Sequence, residues 1–125
     1  MESERAPQYV WDALFFWETS MIDDAFWLRY LRAHTAVQTR TIHLCGTIAA
    51  SSALLAAAIF REPRLVLVAL VVGYGPAWYA HARIEHNRPE TFSRPFSSLF
   101  ADYRMAALML SGKIDAEVRR ANGAA

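Results

Sequence analysis

The sequence lacks several features that would mark a secreted or a nucleic-acid-binding protein. Among its 125 residues Cys45 is the one cysteine, so no disulfide can form within the chain, and we interpret it as a small packing residue. The formal net charge is only +1, which does not suggest the basic surface of a nucleic-acid-binding protein, so we expect no nucleic acid as a partner. The first ten residues lack the basic start and early apolar stretch of a signal peptide.

The signatures of several soluble enzyme classes are also missing. There is no glycine-rich loop of the kind that binds phosphate, and no order of serine, histidine and aspartate that suggests a nucleophilic triad. The length favours a single domain. We therefore divide the chain into a disordered N-terminus (1–8), one domain (9–114) and a C-terminal tail (115–125).

What the sequence does have is two long runs without a formal charge. The first covers residues 42–60 and the second residues 65–80. At about 1.5 Å per helical residue, the first run nearly spans a hydrocarbon core of about 30 Å. The intervening 61–64 contain a proline, which cannot continue a helix. The pattern predicts a hydrophobic hairpin of two membrane-spanning helices.

Two further helices are predicted on either side of this hairpin. Residues 9–32 are rich in tryptophan and phenylalanine, which suit either a membrane interface or an ordinary core. Residues 99–111 form an amphipathic helix, with Ser97 or Ser98 as its N-cap and Gly112 as its C-cap. The predicted fold class is therefore all-α: a small integral membrane protein whose two-helix hydrophobic hairpin is flanked by an aromatic N-terminal helix and an amphipathic C-terminal helix.

The alternative is a soluble bundle with the hairpin at its centre. A chain of this length has little other material to cover two helices that are apolar all round, which favours the lipid bilayer as the partner. Arginines are more numerous on the outer flanks of the hairpin than in its turn, which predicts that both termini are cytoplasmic. The small residues between 46 and 56 would let helices approach closely, and would also permit a homo-oligomer.

Three histidines and a glutamate fall at the same end of the predicted hairpin. His81 and Glu85 are four residues apart, so they share one face of a helix. In an antiparallel hairpin His43 lies at the level of His81, and a break in the helix at 35–40 lets His34 approach. Imidazole and carboxylate are ligands of zinc and of non-haem iron, so the set predicts a metal site at the membrane boundary. The alternative is a hydrogen-bonded cluster that only closes the hairpin of a non-enzymatic interaction or assembly protein.

The spacing of these residues resembles that of the Mpo1-like family, earlier described as a domain of unknown function. The resemblance covers about residues 26–114, and the NRP-x-TF segment is similar to that of the bacterial branch. The matching residues are Tyr30-Leu31-x-x-His34, Arg40-x-x-His43-x-x-Gly46-Thr47, Gly73-Tyr74-Gly75-x-Ala77-Trp78-x-x-His81-x-x-x-Glu85-x-Asn87-Arg88-Pro89-x-Thr91-Phe92, Pro95, Ser98-Leu99, Asp102, Arg104-Met105 and Gly112.

The resemblance implies an integral protein of the bacterial cytoplasmic membrane. In the yeast member the implied activity is an iron(II)-dependent dioxygenase that shortens a 2-hydroxy fatty acid by one carbon, in fatty acid α-oxidation. The resemblance assigns the catalytic and Fe(2+)-binding roles to His34, His43, His81 and Glu85.

A fatty-acid-like substrate implies a cation for its carboxylate. Arg40, Arg83 and Arg88 are the candidates, because a guanidinium pairs well with a carboxylate. The sequence also departs from the family, which usually has proline and asparagine where Val37 and Thr39 stand. That departure predicts a looser turn between the first two histidines.

Overall fold

The structure is a computed structural model and describes residues 22–123, all of whose regular elements are helical. The predicted disorder of residues 1–8 and the first part of the aromatic helix, 9–21, lie outside the described residues. The all-α fold class is confirmed. The elements are α1 (Asp24–Arg32), α2 (Val37–Phe60), α3 (Arg64–Ala80), a π-helical turn (His81–Glu85), a 3-10 turn (Glu90–Phe92), α4 (Pro95–Leu110) and α5 (Ile114–Ala121).

The predicted hairpin is formed by α2 and α3. The chain reverses at Arg61, which adopts the left-handed conformation with φ 51° and ends α2. Val37–Phe60 and Arg64–Glu85 are each long and apolar enough to cross a membrane. Only 11% and 22% of their most apolar windows are buried within the protein, whereas the core helix of a soluble bundle would be mostly covered. The exposed apolar faces therefore favour the membrane hairpin over the soluble alternative.

Small residues set the distance between the two hairpin helices. A methyl group added at Gly46 would lie 3.2 Å from the backbone oxygen of Val72, and one added at Gly73 would lie 3.2 Å from the Cβ atom of Ala50. A larger side chain at Gly46 would push against backbone, which has no rotamer to adjust. This close approach keeps His43 and His81, which lie at the same end of the two helices, at the same level.

A compact core lies beside the histidine end of the hairpin and is built from α1, α4 and α5. Four residues on successive turns of α1 are buried there: Phe26, Trp27, Tyr30 and Leu31. Trp27 is completely inaccessible to solvent. The aromatic side chains of α1 thus serve an ordinary core, one of the two roles that the sequence left open. The core consists of Ile22, Phe26, Trp27, Tyr30, Leu31, Ala101, Met105, Ile114 and Ala121.

Helix α5 falls in the stretch that the sequence analysis left as a C-terminal tail. An eight-residue helix is too short to be stable alone, so tertiary contacts must hold it. The indole N–H of Trp27 donates to Glu117 at 2.7 Å, and the guanidinium of Arg120 donates to both carboxylate oxygens of Asp24 at 3.0 and 3.1 Å. These contacts join α5 to α1 across about ninety residues of sequence.

The predicted N-cap of the amphipathic helix was wrong. Helix α4 begins at Pro95 with Arg94 as its N-cap residue, and Ser97 and Ser98 are buried within its first turn. Proline is favoured at the first helical position because its missing N–H would have no partner there. Gly112, with φ 74°, follows the end of the helix as predicted.

Candidate metal centre

The structure brings together the three histidines that the sequence analysis singled out. His34 follows the end of α1, His43 lies in the second turn of α2, and His81 begins the π-helical turn after α3. One ring nitrogen of each lies within 4.8 Å of the others. All three side chains are buried, with exposed fractions of 1%, 5% and 2%. In the described part of the chain this is the one set of three or more metal-ligating side chains that meet in this way.

Hydrogen bonds fix the orientation of each imidazole. The Nδ1 atom of His34 lies 2.6 Å from the carbonyl oxygen of Tyr30, and that of His43 lies 2.9 Å from the carbonyl oxygen of Thr39. A carbonyl oxygen can only accept, so in both rings Nδ1 carries the proton and donates. The Nε2 atoms are therefore left as lone-pair donors toward the centre of the cluster.

Asn87 completes this pattern at the third histidine. Its Nδ2 group donates to the carbonyl oxygen of Ala33 at 3.1 Å, which turns its Oδ1 atom toward His81. That oxygen accepts a hydrogen bond from Nδ1 of His81 at 2.6 Å. Outer hydrogen bonds of this kind orient histidine ligands in metal sites and fix which nitrogen faces the ion.

The local chain path explains how Asn87 reaches His81. The π-helical turn ends at His86, which adopts the left-handed conformation with φ 56°. The backbone N–H groups of His86 and Asn87 both donate to the carbonyl oxygen of His81. This reversal returns Asn87 to the residue six positions before it. Widened helical turns of this type are frequent at functional sites.

The spacing of the first two histidines fits a metal ion. The Nε2 atoms of His34 and His43 are 3.1 Å apart, although neither carries a proton to place between them. Two nitrogens each about 2.1 Å from one ion would lie about 3.0 Å apart at a right angle and about 3.4 Å apart at the tetrahedral angle. The adjoining cavity of about 10 Å³ is close to the size of one water-sized sphere.

Electrostatics also favour the neutral imidazole that a metal requires. Burial, followed by the proximity of His43 and His81, holds the pKa of His34 well below its ordinary value, so that ring is neutral near pH 7. Two facing lone pairs in a dry site repel each other unless a cation lies between them. A bound divalent cation would satisfy all three rings at once.

Glu85 and Arg40, both candidates from the sequence, support the backbone around the cluster. The Oε1 atom of Glu85 accepts the backbone N–H of Ala36 at 2.7 Å, at the start of α2, and Glu85 is not a member of the three-residue set. The guanidinium of Arg40 is buried and donates to the carbonyl oxygens of His34 and Thr35 at 2.9 and 2.7 Å. These two bonds hold the turn that precedes α2, and residues 37 and 39, whose departures predicted a looser turn, lie within the first turn of that helix.

The other two arginines lie outside the buried cluster. Arg83 and Arg88 are both exposed, and the guanidinium of Arg88 lies 5.2 Å from the centre of the Phe92 ring. Pro89, the next residue along the chain, lines the cavity at the cluster. Arg88 is therefore close to the site without being committed to an ion pair in the described structure.

Asp102 and Tyr30 are site residues to which the sequence analysis gave no role, although both are among the residues that match the family. The ring of Tyr30 stacks on His34, with centroids 4.1 Å apart, and its hydroxyl donates to the carboxylate of Asp102. Asp102 lines the cavity at the cluster, and burial raises its pKa to about 6. The signal that could have identified it is that Asp102 is the one carboxylate of α4, next to the buried Ala101, where a charge needs a specific partner.

Comparison with known proteins agrees with this geometry. Residues 23–114 match the family model described as Mpo1-like, 2-hydroxy-palmitic acid dioxygenase Mpo1-like. The match includes all three histidines together with Asn87 and Asp102. No curated protein and no solved structure matches the chain.

Proposed function

Because the chain belongs to the Mpo1-like family, we propose that it is a membrane-bound, iron(II)-dependent dioxygenase that acts on 2-hydroxy fatty acids. The observation that carries the proposal is the cluster of His34, His43 and His81, buried and with lone pairs directed at a common centre. Zinc would also accept this ligand set, and the family description is what favours iron.

The chemistry assigned to the bound iron(II) is the activation of dioxygen beside a 2-hydroxy acid. The protein holds the three rings in a fixed tautomer, through two backbone carbonyls and Asn87, and so keeps the inward nitrogens free of protons. Burial excludes bulk water from the centre. We assign Arg88 to the substrate carboxylate, because its guanidinium is exposed and the neighbouring Pro89 lines the cavity.

Glu85 has a different part in this proposal. Its carboxylate accepts a hydrogen bond from the backbone N–H of Ala36, just before α2, and thereby holds His34 and His43 near each other. The residues that would hold the ion are then the three histidines, without Glu85.

The overall reaction sets a clear expectation for activity. A 2-hydroxy acid and one dioxygen balance to an acid one carbon shorter, carbon dioxide and water, so no external reductant is needed. We expect iron-loaded protein, purified anaerobically and then given dioxygen and 2-hydroxypalmitic acid, to form the shortened acid without 2-oxoglutarate. Mass spectrometry of the extracted fatty acids measures it. Palmitic acid should remain unchanged, and failure of the iron-loaded protein to shorten the hydroxy acid would overturn the proposal.

For the location we propose the bacterial cytoplasmic membrane, with both termini on the cytoplasmic side. The turn of the hairpin carries Arg61 and Arg64, whereas more arginines flank the histidine end. In a Cys45→Ala background, a membrane-impermeant maleimide applied to intact cells should label Glu62→Cys and leave Lys113→Cys unlabelled. Labelling of Lys113→Cys alone would show the opposite orientation. Labelling of both positions without lysis would contradict a hairpin that spans the membrane.

A further inference from the structure

An apolar cleft begins directly beside the histidine cluster. It has a volume of about 160 Å³ and lies between α2, α3 and α4. His43, Tyr74 and Asp102 line both this cleft and the smaller cavity at the cluster, so the two spaces are neighbours. The polar side chains of the lining are concentrated near that shared end, whereas Leu54 and Leu70 lie at the other end.

The cleft follows one face of α2. Its lining residues on that helix are His43, Thr47, Ala50 and Leu54, whose spacing of four, three and four residues describes a single stripe. Eleven residues of α-helix extend about 16 Å. One leaflet of the hydrocarbon core is about 15 Å thick, which is the depth that one acyl chain spans. The stripe therefore has the length of a single extended acyl chain.

Small side chains leave room in this cleft, and a polar contact holds a helix over it. Ala50 and Gly73 face each other across its floor, and bulkier residues there would fill it. Tyr103 of α4 lines the cleft, and its hydroxyl oxygen lies 2.6 Å from that of Ser51 on α2. This bond holds α4 over the stripe, so that a chain in the cleft would be separated from the surrounding lipid on that side.

We propose that this cleft binds the hydrocarbon tail of the substrate as one extended acyl chain. The head lies at His43 and Asp102, the tail runs past Ala50 and Gly73, and its methyl end lies at Leu54 and Leu70. The assignment rests on the proposed function for the identity of the head group. The site for the tail itself follows from the shape and apolar lining of the cleft.

The test uses two photoreactive analogues of palmitic acid, one with a diazirine near the carboxyl group and one with it near the methyl end. With full-length protein in detergent, we expect the first to label near Tyr74 and Leu99 and the second near Leu54 and Leu70. Excess 2-hydroxypalmitic acid should compete with both. Peptide mass spectrometry locates the labels. Labels spread over the outward-facing Leu67 and Val71, without competition, would overturn the proposal.

Matched substitutions sharpen this test. Ala50→Leu should lower labelling by the methyl-end probe about tenfold or more, because an inserted side chain cannot be accommodated without displacing its neighbours, and should spare labelling by the carboxyl-end probe. It should also shift turnover toward shorter 2-hydroxy acids. Ala49→Leu makes the same change at an exposed position about 100° further around α2, outside the cleft, and should alter neither result. Equal effects of the two substitutions would contradict a tail site in the cleft.

The labelling requires neither iron nor turnover, so the two proposals fail separately. Position-dependent labelling without any shortened product would support the acyl-chain site and overturn the proposed dioxygenase activity. Shortened product with labels spread over the lipid-facing surface would leave the dioxygenase and overturn the acyl site.

Discussion

Protein that carries His81→Asn is expected to retain almost none of the iron that the unchanged protein binds. Asparagine is similar in polarity but offers no imidazole lone pair, so the centre would keep only His34 and His43. Loss of an outer hydrogen-bond partner alone typically weakens metal binding about 10–100-fold, and loss of a ligand should cost at least about 100-fold. Mass spectrometry for iron and zinc, on protein purified anaerobically and supplied with iron(II), measures the effect.

The chain offers a matched control for this experiment. His86→Asn removes a histidine only five residues away, and His86 is exposed and not part of the cluster. Asparagine also tolerates the left-handed conformation of that position. The iron content of His86→Asn should equal that of the unchanged protein, and both variants should keep the same helical circular dichroism.

Asn87→Ala should give an intermediate result. The substitution leaves all three ligands in place but removes the acceptor that holds Nδ1 of His81. The expected loss is about 10–100-fold in iron affinity, measured by competition with a chelator of known affinity. If the three variants retained iron equally, His81 would not be a ligand and the three-histidine centre would be overturned. If the unchanged protein took up no metal at all, the cluster would be a hydrogen-bonded closure of the hairpin.

The second large effect is expected on folding, from Trp27→Ala. Trp27 is completely buried, stacks on Tyr30 with centroids 5.7 Å apart, and lies 4.4 Å from the guanidinium carbon of Arg104. Replacement of a buried tryptophan by alanine typically lowers the free energy of unfolding by about 3–5 kcal/mol. The bond to Glu117 that holds α5 would be lost as well.

Thermal unfolding in detergent, followed by circular dichroism, measures this prediction. Each kcal/mol lowers the midpoint by about 4–8 °C in a domain of 60–100 residues and by about 2–4 °C in one of 150–250 residues, so in a chain of 125 residues the shift should be about 10 °C or more. Trp78→Ala is the control of the same residue type, because Trp78 is 40% exposed on α3. Its midpoint should fall much less. Equal shifts for the two tryptophans would mean that α1, α4 and α5 do not form the core described above.

Iron binding should weaken together with the core. His34 follows α1 directly, and Tyr30 of that helix both stacks on His34 and supplies the carbonyl that orients it. A variant that loosens α1 therefore frees one ligand without changing it. Trp27→Ala should consequently bind iron more weakly than Trp78→Ala at temperatures where both remain folded.

Much of the fold could be predicted because it depends on neighbours in the sequence. The uncharged runs specified α2 and α3 through the cost of exposing apolar side chains to water. The proline between them specified the turn. Helix α5 was not predicted in this way. Its acidic first turn and basic last turn favour a helix, but a segment of eight residues is too short to be stable without its contacts to Trp27 and Asp24, about ninety residues away.

The candidate site shows the same division. The sequence by itself predicted that His43 and His81 lie together, because an antiparallel hairpin places the ends of its two helices at one level, and it allowed His34 to approach them through a break in the chain. Only the tertiary structure decided which nitrogen each ring directs inward, that Asn87 returns to His81, and that Glu85 bonds to Ala36. Those outcomes depend on rotamers and on one π-helical turn. Hydrophobic periodicity indicates the face of a helix on which a residue lies, and its position in the sequence gives its level along the axis. The direction of a hydrogen bond, in contrast, is fixed by the partner that packing brings to it.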